Sequence, residues 1–190
     1  MKTIQWLSIA LIGLLGCSKS TPDPVAGEDT KATLNGQGWS GISTAWKNPS
    51  DSCGTNTINL TIQNKLAYHK ARLRAPAICA GYCGDQSLSF TRIPLAVGVY
   101  ALSTHQPCSA SPNQVGVSFT TLIGGDVIRD QYQPDLTRTA TIKVTKYDPQ
   151  SGEMEGTFEV TLLRDTRRQL TSDAAETVHF QNGSFKTKLP

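Results

Sequence analysis

The groups in this sequence able to do chemistry are four internal cysteines, three histidines, a small acidic cluster, one basic run and a pair of tryptophans. Cys53, Cys79, Cys83 and Cys108 are an even set, which in an exported chain reads as two disulfides. Cys53–Cys79 with Cys83–Cys108 is the favoured pairing, because each pair falls just beyond the open end of one expected hairpin. Each would close a loop of about 26 residues and contribute ~3 kcal/mol in the chain-entropy model. The alternative joins Cys53 to Cys108 and closes Cys79–Cys83 around Ala80-Gly81-Tyr82. A redox role for that last segment is disfavoured, since it has one residue too many for a thioredoxin-type motif and no βαβ context. Zinc held by these thiols does not suit an oxidising compartment.

His69 is expected on an apolar strand face beside Leu60, His105 in a loop and His179 on the outward side of a strand. No zinc-hydrolase spacing of histidines occurs, and no Gly-x-Ser-x-Gly elbow. Asp126, Asp130 and Asp135 match no calcium loop and read as solvated loop carboxylates. No catalytic residue, cofactor or metal is therefore assigned. Lys70, Arg72 and Arg74 share one face of a strand by their period of two. They suit an anionic ligand such as an acidic glycan or a lipid phosphate, or else an outward face guarded against edge pairing. Trp39 and Trp46 suit stacking on a sugar ring, or packing in the core or at an edge.

The elements that must position these groups are strands. From Lys31 onward apolar residues alternate with polar ones in clusters rich in Thr, Val and Ile, bounded by Gly, Asn, Asp and Pro. A first hairpin is expected through Asn64-Lys65, pairing 62 with 67, 60 with 69 and 58 with 71. A second pairs Phe90 with Val99 and Leu88 with Ala101. A third sets Ala140, Ile142 and Val144 against Phe158, Val160 and Leu162 across Asp148–Gly152. A fourth turns at Asn182-Gly183, the strongest short hairpin signal, between 178–180 and 185–187. With shorter strands at 31–35, 39–46 and 114–121, the pattern predicts an all-β antiparallel sandwich of about ten to twelve strands over residues 31–190. A domain of that size can hold its own core.

Residues 1–16 read as a secretory signal, with Lys2 before an apolar run of about ten residues, too short to span a membrane. Leu14-Leu15-Gly16-Cys17 resembles the bacterial lipobox, which implies cleavage between Gly16 and Cys17 and lipid on the Cys17 sulfur. By analogy with that class the mature chain carries three acyl chains, and two or more anchor stably. Residues 17–30 then form a flexible tether. Ser18 after the cysteine resembles the signal for outer-membrane retention, and which side of that membrane the domain faces stays open. The formal charge of +3 lacks the concentrated basic footprint of a nucleic-acid binder, and the apolar share of 38% excludes a disordered chain.

Asn35-Gly36-Gln37-Gly38-Trp39, Phe90-Thr91-Arg92-Ile93-Pro94 with Gly98-Val99-Tyr100, Gly156-Thr157-Phe158 and the ending Phe180-Gln181-Asn182-Gly183-Ser184-Phe185 carry a family resemblance. They resemble small outer-membrane lipoproteins of Bacteroidetes-type bacteria that bear a β-sandwich domain of unknown function. The resemblance implies an envelope β-sandwich and carries over no catalytic residue. The resulting expectation is a lipid-anchored, non-enzymatic binding module for a glycan or other surface ligand. The alternatives are a structural or assembly lipoprotein with protein partners, and a hydrolase with an unrecognised site.

Overall fold

The computed structural model describes residues 29–47, 56–64, 86–104, 114–123, 127–168 and 174–189. Cys17, Cys53, Cys79, Cys83, Cys108, Lys70, Arg72, Arg74, His69, His105 and Asp126 lie outside them, as do the signal segment and all but the end of the expected tether. Ten strands run in order: β1 (Asp29–Leu34), β2 (Gln37–Trp46), β3 (Thr57–Asn64), β4 (Gln86–Pro94), β5 (Gly98–Ser103), β6 (Gln114–Ile123), β7 (Val127–Pro134), β8 (Thr141–Tyr147), β9 (Glu153–Arg164) and β10 (Thr177–Lys188). The described residues contain no α-helix, only a 3-10 turn at Thr166–Arg168. β1 starts earlier than the expected tether boundary, and its Thr30 is buried in a hydroxyl hydrogen bond with Ser43 of β2.

All ten strands belong to one mixed sheet whose pairing returns on itself. The path runs β10–β1–β2–β3–β4–β6–β7–β9 and back to β10. Between β6 and β9 the ring is completed twice. β6 pairs with β5 through residues 114–116 and with β7 through 119–123, while β9 pairs with β8 through 154–159 and with β7 through 162–164. β5 and β6 run parallel, a departure from the expected all-antiparallel sheet.

A ring of about eight strands leaves just enough interior for side chains to fill. Here aromatic rings meet across it: Phe119 of β6 lies 5.2 Å from Phe180 of β10, and Phe90 of β4 lies 5.3 Å from Phe158 of β9. Alternation supplies this core, as on β3, where Ile58, Leu60 and Ile62 are buried and the residues between them half-exposed. The outer faces carry Thr, Ser, Lys and Glu, the reverse of a membrane barrel's outward apolar band. Among the described residues no helix is long and apolar enough to cross a membrane.

The expected hairpin across Asp148–Gly152 forms, with Ile142 opposite Phe158 and Val144 opposite Gly156. The Asp148 carboxylate closes the turn by accepting the Gln150 N–H at 2.9 Å and the Ser151 hydroxyl at 2.8 Å. The other three expected hairpins are corrected. Ser43 of β2 and Leu88 of β4 flank Ile62 on both edges of β3, so β3 has no free edge there for the first hairpin, whose other arm, 67–71, lies outside the described residues. β6 separates β4 from β5, and Phe90 meets Val117 instead of Val99. β5 is also out of phase by one residue: Tyr100 and Leu102 face inward and Val99 is 63% exposed. With those two hairpins absent, the reason for favouring Cys53–Cys79 and Cys83–Cys108 is lost.

Asn182-Gly183 is a bulge inside β10, not a turn. Phe180 pairs with Val160 and Gly183 with Phe158, so β10 spends one residue more than β9 over this span. Asn182 takes φ 52°, and a side chain at Gly183 would collide with the Phe158 ring. The two-residue hairpin is made instead by the other such dipeptide, Asn35 at φ 50° and Gly36 at φ 78°, which joins β1 to β2.

Candidate functional site

β2 alternates, and Trp39 and Trp46 are an odd number of residues apart, so the two indoles lie on opposite faces. Trp39 points into the ring and is only 6% exposed. Its Nε1–H donates to Gln86 Oε1 at 2.7 Å, and its ring packs edge-on against Phe180 at 5.1 Å. As a sugar-stacking surface Trp39 is therefore corrected: it is a core residue. Beside it a cavity of about 310 Å³ opens at one rim between Leu34, Asn35, Gln37 and Phe119. That is the small end of ligand pockets. Two of the polar groups around it are already engaged: Asn35 Oδ1 accepts the His179 N–H at 2.8 Å and Gln86 holds Trp39.

Trp46 is the outward tryptophan, 40% exposed at the end of β2. The wall it stands on, formed by β2, β3, β4 and β6, has a composition the linear sequence conceals. Register places Thr44 beside Thr61, Thr61 beside Ser89 and Ser89 beside Ser118, a row of four hydroxyls crossing four strands. Thr61 and Ser89 share a hydrogen bond of 3.1 Å. The next row sets Ile42 beside Gln63, Gln63 beside Ser87 and Ser87 beside Thr120. Toward the strand ends Trp46 stands beside Asn59, whose Oδ1 accepts the backbone N–H of Arg92 at 3.1 Å.

Arg92 is the one formal charge in these rows, and sequence reasoning passed over it. β4 bulges against β3 between Phe90 and Ile93, and Arg92 adopts φ 65°, left-handed backbone that a long side chain rarely takes. Its Nε and Nη1 are covered and have no acceptor among the described residues. Neither property has a signal in the linear sequence, where Arg92 is one polar residue in an alternating strand.

The wall of β8, β9 and β10 is different. Glu155 lies between Lys146 at 3.4 Å and Lys186 at 3.7 Å, and Lys146 also reaches Glu153 at 3.5 Å. Glu155 and then Glu153 hold the Lys146 ammonium above the usual lysine range. His179 faces outward as expected, 3.8 Å from Glu159.

Asp130 and Asp135 are not solvated loop carboxylates. Asp130 is 2% exposed on the inner side of β7, near the Thr121 hydroxyl at 3.4 Å and Arg129 at 3.6 Å. Asp135 is buried at the end of β7, and the hydroxyl and N–H of Thr137 hold its carboxyl below the usual range. Among the described residues no group of three His, Cys, Asp or Glu side chains is placed to hold a metal ion.

An indole platform, rows of hydroxyls and amides and one permanent cation can recognise a polar molecule without covalent chemistry. Comparison of the chain with protein-family models, curated proteins and solved structures finds no match.

Proposed function

We propose that this chain is an outer-membrane lipoprotein, anchored through lipid on Cys17, whose closed sheet is a non-enzymatic binding module for an envelope or surface glycan. The ring is read as flattened, its two walls facing one another as the sheets of a sandwich do. The observation that carries the glycan reading is Trp46, exposed on a wall of hydroxyl and amide rows. A sugar ring has an apolar face that an indole covers and hydroxyls that Thr, Ser and Asn side chains can meet. Neighbouring strands lie about 4.8 Å apart, comparable with the advance of one hexose along a chain, so successive sugars can follow successive strands.

Two disulfides belong to the same proposal, with revised pairing. Asn56 and Gln114, which follow Cys53 and Cys108 in sequence, lie at one rim of the ring, whereas Asn64 and Gln86, which bracket Cys79 and Cys83, are paired at the other. Non-reducing peptide mapping is therefore expected to return Cys53–Cys108 and Cys79–Cys83; a Cys53–Cys79 peptide would overturn this assignment.

A thermal-shift screen of the purified chain against neutral and acidic glycans tests the binding reading. Ligand at about 100 times its dissociation constant stabilises by ~2.7 kcal/mol. A shift with one glycan class that is lost in Trp46→Ala supports it. No shift with any glycan overturns it and moves the search to protein partners. Cys17→Ser is expected to release the protein from membranes, and continued retention would exclude the anchor.

A further inference from the structure

We infer that Arg92 reads an anionic group on the bound glycan, so that the ligand is an acidic glycan bearing carboxylate or phosphate. The inference rests on the glycan reading of the Trp46 wall and adds to it a chemical class.

Two irregularities coincide at this residue. A non-glycine residue at φ 65° is strained backbone, and such strain persists where surrounding structure enforces it. Here the enforcing contact is Asn59, whose side-chain oxygen holds the Arg92 N–H. Independently, Nε and Nη1 of a guanidinium that stays protonated at every physiological pH have no acceptor among the described residues, although both are covered. No carboxylate among the described residues forms an ion pair with Arg92. Five other cations of the described residues each have an acidic neighbour: Arg129 has Asp130, Arg138 has Asp135, Arg167 has Asp165, and Lys146 and Lys186 have Glu155.

The position suits a ligand. Trp46, Asn59 and Arg92 lie on three consecutive strands, β2, β3 and β4, at one level of the wall. The outer two are therefore separated by two strand spacings, roughly 10 Å. A glycan with one ring on Trp46 brings the substituent of a neighbouring sugar to Arg92. Rotation about the side-chain torsions brings the planar fork onto the anionic oxygens, and the covered nitrogens gain acceptors. Uronic acids and phosphate-substituted sugars share this chemistry.

The test offers the full chain glycans in pairs. Each uronate-bearing oligosaccharide is measured beside its carboxyl-reduced form, and each phosphate-substituted one beside its dephosphorylated form, by Trp fluorescence or calorimetry. The native chain is expected to bind one anionic series more tightly than its neutral partners by roughly 10- to 100-fold. The series that shows the gap identifies the source of charge. Arg92→Gln should close the gap, whereas Trp46→Ala should weaken both members of each pair alike. Arg92→Gly removes the strained side chain and the covered cation together, so it is expected to raise the melting temperature while closing the gap, which separates loss of recognition from loss of fold. Equal binding of both members, or a gap that survives Arg92→Gln and Arg92→Gly, overturns the inference and leaves the glycan reading standing. Binding of neither member overturns both.

Discussion

The wall of β8, β9 and β10 and the wall of β2, β3 and β4 face solvent from the same ring, yet they solve the problem of exposure differently. The first alternates charge across strands, Lys146 to Glu155 to Lys186, so these three groups satisfy one another and the charged surface repels other sheets. The second is built mainly of hydroxyls and amides, exposes the Trp46 indole and, among the described residues, keeps Arg92 out of any ion pair. A charge ladder is complete by itself. An exposed indole beside an unmatched cation is complete only when something else covers it, and that difference makes the second wall the place to look for a ligand.

The largest effect is expected inside the ring, where the comparison rests on the two faces of β2. Trp39→Ala should cost about 3–5 kcal/mol in urea unfolding, because it empties a core position and strands Gln86. Trp46→Ala should cost under about 1 kcal/mol in the same measurement. Comparable losses would make Trp46 a structural residue and remove the distinction.

Binding sharpens the contrast between the walls. Trp46→Ala should weaken glycan binding by about 2 kcal/mol, roughly 30-fold, while Glu155→Gln and Lys186→Gln leave the affinity unchanged. Equal sensitivity on both walls would break the comparison.

Smaller effects follow pH. The Lys146 ammonium is held above its ordinary range by Glu155, so its contribution is fully present below the unfolded lysine value near 10.4 and is lost as pH rises through the higher folded value. Glu155→Gln should flatten this alkaline loss, and 1 M salt should reduce it in the native chain. At the other extreme the Ser151 hydroxyl and the Gln150 N–H hold Asp148 below its ordinary range. Its contribution is present above the unfolded aspartate value and lost as pH falls through the lower folded one, and Asp148→Asn should remove that acid-side dependence from unfolding curves. A variant that keeps the native pH profile would show that the turn carboxylate does not stabilise the fold.

Part of this was legible beforehand because it is local. Alternation at Ile58, Leu60 and Ile62 predicts an inward face whatever the neighbours are, and the composition of Asp148–Gly152 closes a turn between two strands adjacent in sequence. Pairing is another matter. The edge of any alternating strand offers the same backbone groups, so periodicity could not say that β6 would insert between β4 and β5, or that β2 and β4 would occupy both edges of β3. Of the ligand residues expected from the sequence, Trp46 stands on the proposed binding wall, Trp39 lies in the core, and Lys70, Arg72 and Arg74 lie outside the described residues.

The two Asn-Gly dipeptides separate what each level decides. Both place an asparagine in left-handed backbone, φ 50° at Asn35 and φ 52° at Asn182, as their local chemistry dictates. Only the first is a turn. At the second, β1 and β9 hold both edges of β10 and the Phe158 ring fills the space beside Gly183, so the chain bulges and continues. The amino-acid sequence alone determined that this protein is built of strands, which residues on most of them face inward and that the two Asn-Gly pairs take a left-handed kink, because those properties depend on nearest neighbours. Which strands meet, that they close into a ring, and that Trp46, Asn59 and Arg92 come to stand side by side depend on long-range edge pairing and on filling one interior, and only the tertiary structure decided them.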